Sequence, residues 1–336
     1  MNATVLPASP GGPHPLLAAL ASPRVTLVAL AAIAAGVVAH TQVEGGIAGL
    51  LAAVFAAAAA NLLAALVVQP RLRADLPLLV FHVALLALLA LAAIGRLTAL
   101  TGTLELAQGE VFDGQLLTSE AGPLHPDGLA KMRFVNDGFT VEYAEGWRRG
   151  RTLNDVRVFG SDGQVTRRRI GDMDALVIDG YRFYTTSNKG FAFIFRWVPR
   201  SGESMERGAV HLPSYPMNEH RQAQTWRIPG TSREAWVMLD MARPAIDPGR
   251  PSRFRLPDAH RLVLVIGGER RELAAGESVT LDEGILVYEG LTAWMGYKVF
   301  YDPTLPWLVA AALLSIGALG AFYWRRFGRA EKERGP

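Results

Sequence analysis

The chain has 336 residues, with 34 Lys and Arg against 31 Asp and Glu, a net charge of +3 and no cysteine. Half of the residues are hydrophobic, which excludes a disordered chain. Zero cysteine excludes a disulfide framework, a thiolate metal or iron–sulfur site and a cysteine nucleophile.

Residues 25–39 carry no charge, and an apolar stretch at 16–20 precedes them. The small residues Val37 and Ala39 suit a signal-peptide cleavage site, but residues 1–23 are rich in Pro and Gly and lack Lys. They have no Arg either, so the run is read as a membrane helix over about 24–41. Two further uncharged runs follow at 47–68 and 76–95, the latter holding His82 and read as a helix over about 76–97, and a fourth lies at 306–324. A helix crosses a bilayer with about 20 mainly apolar residues. The expected fold class is a membrane protein with four transmembrane α-helices, three N-terminal and one C-terminal. Between them is inserted a mainly antiparallel β extracytoplasmic domain. The expected divisions are 1–99 for the first three helices, 100–304 for the β-rich domain, and 305–336 for the last helix and a basic cytoplasmic tail.

Positive residues mark the cytoplasmic side of a membrane protein. Arg24 precedes the first helix, the connection at 41–46 has no Lys or Arg, and the next connection has Arg71 and Arg73. Arg325, Arg326, Arg329, Lys332 and Arg334 follow the last helix. Both termini are therefore expected in the cytoplasm of a multi-pass protein of the cytoplasmic (inner) membrane, with 100–303 outside. Arg96, at the outer end of the third helix, is the exception. The outer segment carries 25 basic and 27 acidic residues, so the basic excess belongs to the helices and their inner flanks. A nucleic-acid partner is not expected; a lipid bilayer is.

Within the outer segment the apolar pattern has period two. Asp137-Gly138, Asp162-Gly163, Asp179-Gly180 and Asn188-Lys189-Gly190 interrupt runs rich in Phe, Val and Tyr, as hairpin turns do. Strands this dense indicate an antiparallel sandwich or barrel. Residues 210–229, with several prolines, read as a long loop or a crossing between sheets.

No nucleophile elbow, phosphate-binding loop, zinc-protease motif, dinucleotide fingerprint or haem-attachment motif is present, and no catalytic residue is assigned. The seven histidines are at 14, 40, 82, 125, 211, 220 and 260. His82 lies inside a membrane helix, where ionisable groups are costly and usually functional. Two readings stand for it. It ligates haem iron, or it is a neutral histidine bonded to Asn61 or to a backbone carbonyl of the next helix. His40 reads as interfacial, and His125, His211, His220 and His260 as surface groups; the alternative for His211 and His220 is a metal site, but their spacing matches no recognised ligand pattern. Arg167, Arg168 and Arg169 read as a solvated strand end. Trp294, Tyr297, Phe300, Tyr301 and Trp307 read as an aromatic interface belt.

The layout and several stretches resemble the ResB family of cytochrome c biogenesis proteins (System II cytochrome c synthesis). "ALASPRVTLVALAAIAAG" is similar to that family's opening stretch and first helix. "NLLAALVVQPRLRADLPLLVFHVALLALLALAAIG" resembles its second and third helices, with Asn61-Leu62 and Phe81-His82. "GTLELAQGEVF", "GYRFYTTSNKG" and "YDPTLPWLVAAALLSIGALGAFYWRRF" resemble the exit from the third helix, a tyrosine-bearing strand and the lead-in to the last helix. The resemblance implies a protein that works with a CcsA-type membrane partner to move haem b outward and attach it to apocytochrome c. It places haem-iron ligation, with the haem held transiently, on His82. It implies an assembly factor or a subunit of a synthase complex rather than an enzyme alone. The first connection is shorter than in full-length members, and a tryptophan-rich haem-handling motif is missing. The rival reading is a non-catalytic membrane scaffold or accessory subunit of another complex, without haem.

Overall fold

The computed structural model describes residues 14–42, 47–202 and 205–333. The expectations for residues 1–13, for the connection at 43–46 and for Arg334 fall outside the described residues. The chain divides into two compact units. One comprises Met1–Leu100, Glu120–Pro126 and Tyr301–Pro336; the other comprises Thr101–Ser119 and Asp127–Phe300.

The first unit is helical: α1 (Pro15–Leu20), α2 (Pro23–Gln42), α3 (Ala48–Val68), α4 (Leu76–Thr98) and α5 (Leu305–Glu333). Ala and Leu dominate these helices, and both have high helix propensity. Prolines stand in the first turns, where their missing N–H has no partner to lose. Four of the helices, α2 to α5, are long and apolar enough to cross a membrane. The α4 helix packs against both α3 and α5, and α3 also packs against α2. Small residues make these contacts close: Ala52, Ala58 and Ala64 are buried on α3, and Ala84, Ala93 and Gly95 on α4. A Cβ at Gly95 would stand 2.9 Å from the Thr304 hydroxyl, so a side chain there would push α4 and α5 apart. Asp302 starts α5 by accepting from the Thr304 N–H at 2.9 Å and the Thr304 hydroxyl at 2.7 Å.

The second unit is built of strands. In chain order they are β1 (Leu100–Ala107), β2 (Val111–Phe112), β3 (Thr118–Ala121), β4 (Phe134–Ala144) and β5 (Arg148–Phe159). Next come β6 (Val165–Gly171), β7 (Leu176–Ile178), β8 (Tyr181–Pro199), β9 (Glu206–His211) and β10 (Ala223–Arg227). The last are β11 (Glu234–Met241), β12 (Ser252–Arg253), β13 (His260–Ile266), β14 (Glu269–Leu273), β15 (Ser278–Thr280) and β16 (Gly284–Tyr301). One sheet has the order β3-β1-β16-β8-β7, with β15 also on β16 and β9 also on β8. A second is β10-β11-β13-β14, and a third is β12-β4-β5-β6 with β2 on β4. The long strands β8 and β16 pair antiparallel from Gly284↔Pro199 to Phe300↔Arg182.

Alternation along β8 sends Phe191, Phe193, Phe195 and Trp197 into one core with Tyr215, Val237, Phe254, Leu264 and Tyr288. Burying each such side chain stabilises the fold by about 1.5–3 kcal/mol.

Two of the expected turns are hairpins. Asp162-Gly163 lies between β5 and β6, where Phe159 pairs with Val165. Asp179-Gly180 joins β7 to β8 across the pair Ile178↔Tyr181. Both turn residues have positive φ, +47° and +85°, as a type I′ turn requires. The other two are corrected. Asp137-Gly138 is a bulge inside β4, because β5 pairs along both sides of it and Gly138 takes φ +116°. Asn188-Lys189-Gly190 lies inside β8, where the register against β16 slips between Met295↔Lys189 and Tyr297↔Thr185. The stretch 210–229 does cross from one sheet to another, but it also contains β10, which pairs with β11.

Candidate functional site

His82 lies in the second turn of α4, whose first turn holds Pro77. Its Nδ1 is 2.7 Å from the carbonyl oxygen of Leu78, one turn back on the same helix. A carbonyl only accepts, so Nδ1 carries the proton and Nε2 carries the bare lone pair. Among the described residues Nε2 makes no hydrogen bond. The ring is half-buried, with Phe81 edge-on at 5.2 Å. Asn61, the partner weighed for it, is engaged elsewhere. Its amide donates to Leu20 O at 2.5 Å and accepts from Thr26 Oγ1 at 2.8 Å. Buried Asn61 therefore ties the joint between α1 and α2 to α3, and His82 takes its carbonyl from its own helix rather than the next one. A ring oriented through Nδ1 with a free Nε2 is the arrangement of a metal-ligating imidazole. Were a haem iron bound here, His82 Nε2 would be the donor that holds it.

The other histidines do not join His82. His40, in the last turn of α2, accepts at Nε2 from Arg96 Nη1 at 3.4 Å, while its Nδ1 stands 3.6 Å from Glu120. His125 Nδ1 donates to Thr98 O at 2.8 Å and its ring meets Tyr301 edge-on. His260 Nε2 lies 2.8 Å from the Tyr288 hydroxyl, and burial holds it below its ordinary value. His211 pairs with Glu105 at 3.0 Å. The surface reading is thus corrected for His125, His211 and His260, because each finds a partner that half-buries it; His220 is exposed. Arg167, Arg168 and Arg169 lie exposed on β6. The belt is corrected as well. Trp294 and Tyr297 point into the β core, 2% and 1% exposed, whereas Trp307 stands 66% exposed on α5. Among the described residues no three His, Asp or Glu side chains converge to hold a metal ion.

A family model described as ResB-like family matches residues 75–327. The chain belongs to the ResB-like family. That membership ties it to cytochrome c biogenesis. No curated protein matches the chain. One solved structure with some likeness is titled "Cytochrome c Heme Lyase CcmF", at 15% identity and a TM-score of 0.27. The match covers 89% of this chain, and this chain spans about a third (34%) of that one.

This ResB-like chain also buries polar groups that period-two patterning conceals. Lys189 is fully buried on β8, its Nζ donating to Thr186 O at 3.0 Å. Desolvation, with Arg149 nearby, pulls its ammonium down to about 8, against the opposing pull of Asp172. Tyr297 donates to Asn154 Oδ1 at 2.8 Å, and burial pushes its phenol well above the ordinary range. The signal for Lys189 was the run "TTSNKG", six small or polar residues inside a strand pattern. A polar run of that length reads as a turn until the pairing partner on both sides is known.

Proposed function

We propose that this ResB-like protein handles haem as cargo for cytochrome c maturation, with the β-rich domain outside the cytoplasmic membrane and both termini inside. The carrying observation is His82, oriented by Leu78 O and presenting a free Nε2 within an apolar helix. The distribution of basic residues supports the orientation, with Arg71 and Arg73 at one end of α3 and α4 and Arg325 and Arg326 on the same side. Arg96 at the other end is accounted for locally: it lies in the last turn of α4, where a cation complements the helix dipole, and it bonds to His40.

The chemistry asked of this chain is ligation and positioning. His82 offers one nitrogen to iron, the hydrogen bond to Leu78 O holds the ring's orientation, and the apolar walls of α4 exclude water. One imidazole would leave a haem iron in need of a further ligand, which a CcsA-type membrane partner would supply. Bond formation to apocytochrome c then belongs to the complex, with this chain as an assembly factor or subunit.

The test is His82→Ala beside wild type, each expressed with the partner. Haem content by Soret absorbance and the yield of mature cytochrome c are both expected to fall at least tenfold. Unchanged haem and unchanged yield would leave a haem-free scaffold as the better account.

A further inference from the structure

The long connection between β11 and β13 forms a charged cleft, remote in sequence from His82. Residues 242–259 hold four arginines against two aspartates, although the β-rich domain as a whole carries an acidic excess. Only the two-residue strand β12 interrupts this connection. A connection of that length within a compact unit usually has a function.

The connection is also firmly held. Ile246 and Phe254 are buried in the β core, at 0% and 6% exposure. The Tyr215 hydroxyl accepts from the N–H groups of Ala245 at 3.1 Å and Ile246 at 3.4 Å. Pro248 O accepts from the Gly146 N–H at 3.0 Å, and the Phe254 N–H donates to Val141 O at 2.9 Å. Asp247 accepts from the Gly249 N–H at 2.9 Å and pairs with Arg250 at 2.8 Å. So fixed, the connection frames a cleft of about 540 Å³, within the size range of small-molecule sites.

Arg243, Arg250, Arg255, Asp247 and Asp258 line the cleft. Arg250 and Asp247 neutralise each other. Among the described residues, the side chains of Arg243, Arg255 and Asp258 have neither an ion pair nor a hydrogen bond. Two guanidinium forks against one carboxylate leave a net positive charge with no counter-ion. Each planar fork matches a carboxylate through two parallel N–H···O bonds. The remaining lining residues are all proline or alanine, Pro244, Pro248 and Pro257 among them. A bare phosphate ion would leave those apolar walls uncovered, whereas a short carbon chain would cover them.

We propose that this cleft binds a small organic dicarboxylate, with one carboxylate on Arg243 and the other on Arg255. Asp258 repels such a ligand and limits its affinity. The site operates without His82.

The full-length protein in detergent is titrated by calorimetry with the straight-chain dicarboxylates from succinate to adipate, and with hexanoate, inorganic phosphate and hexaglutamate. Saturable binding of at least one dicarboxylate is expected, about tenfold or more tighter than hexanoate or phosphate. Arg243→Gln and Arg255→Gln are each expected to weaken it about tenfold or more. Asp258→Asn is expected to strengthen it about threefold by removing a like charge. A loss through misfolding cannot imitate that gain, and its absence would overturn the role given to Asp258. Arg168→Gln, an equal loss of charge on exposed β6, is expected to leave binding unchanged. No dicarboxylate binding by wild type, or equal binding by both cleft arginine variants, would overturn the proposal. Equal weakening by Arg168→Gln would overturn it too, since the whole-protein charge would then be the cause. Phosphate binding as tight as any dicarboxylate would replace the assignment with a general anion site. Hexaglutamate binding about tenfold tighter than every dicarboxylate would replace it with an acidic polypeptide.

Discussion

At the scale of single residues, the chain isolates a few polar groups in apolar surroundings and commits each one differently. Asn61 is satisfied on both its amide atoms, so it holds helices together. Replacing it with Leu leaves Leu20 O and Thr26 Oγ1 without that partner and is expected to cost about 1–3 kcal/mol, read as a lower midpoint of thermal unfolding in detergent. Lys189 is the costly case. Its ordinary value of 10.5 is pulled down to about 8, so between those values the unfolded chain binds one proton more than the folded one. Stability of the β-rich unit therefore rises with pH through this window and falls as pH drops toward 8. Above pH 10 the buried tyrosines oppose the rise, Tyr143 being pushed up to about 12 by burial. Between pH 8 and 10 the gain is roughly 2–3 kcal/mol. Denaturant unfolding at both pH values checks it, and Lys189→Met is expected to flatten the slope.

At the scale of elements, close approach and turn geometry decide more than propensity. Gly95→Leu inserts a side chain where even a Cβ would be 2.9 Å from the Thr304 hydroxyl. It is expected to separate α4 from α5 and to lower the yield of folded protein, measured by size-exclusion chromatography, while Gly317→Leu on α5, with open space at its Cβ, is expected to have little effect. The β7–β8 hairpin depends on positive φ at Gly180, so Gly180→Ala is expected to cost roughly 1–2 kcal/mol, read by denaturant unfolding.

At the scale of the whole molecule, the absence of cysteine makes the orientation directly measurable. Single cysteines at Met173, 96% exposed in the β-rich unit, and at Arg71, between α3 and α4, sit on opposite sides in the proposed topology. In intact cells a membrane-impermeant maleimide is expected to label Met173→Cys and to label Arg71→Cys only after permeabilisation. The reverse pattern would invert the proposed orientation. The helical unit presents large apolar side chains such as Val28, Leu50, Leu313 and Ile316 outward, which is stable in hydrocarbon and unstable in water.

The linear sequence determined the four spanning helices and the β-rich insertion, because length, apolar content and period two are properties of a segment and its solvent. It also singled out His82, since one imidazole in an uncharged run stands out without any knowledge of neighbours. Tertiary structure alone decided the rest. Asp137-Gly138 and Asn188-Lys189-Gly190 carry turn composition, yet β5 and β16 pair straight past them, so long-range pairing overrode local preference. Trp294 and Tyr297 have the composition of an interface belt, yet they face the core because strand alternation places them there. His211 and Glu105 are 106 residues apart in the chain. No local pattern encodes such a contact; it exists only because β1, β8 and β9 are brought into one sheet.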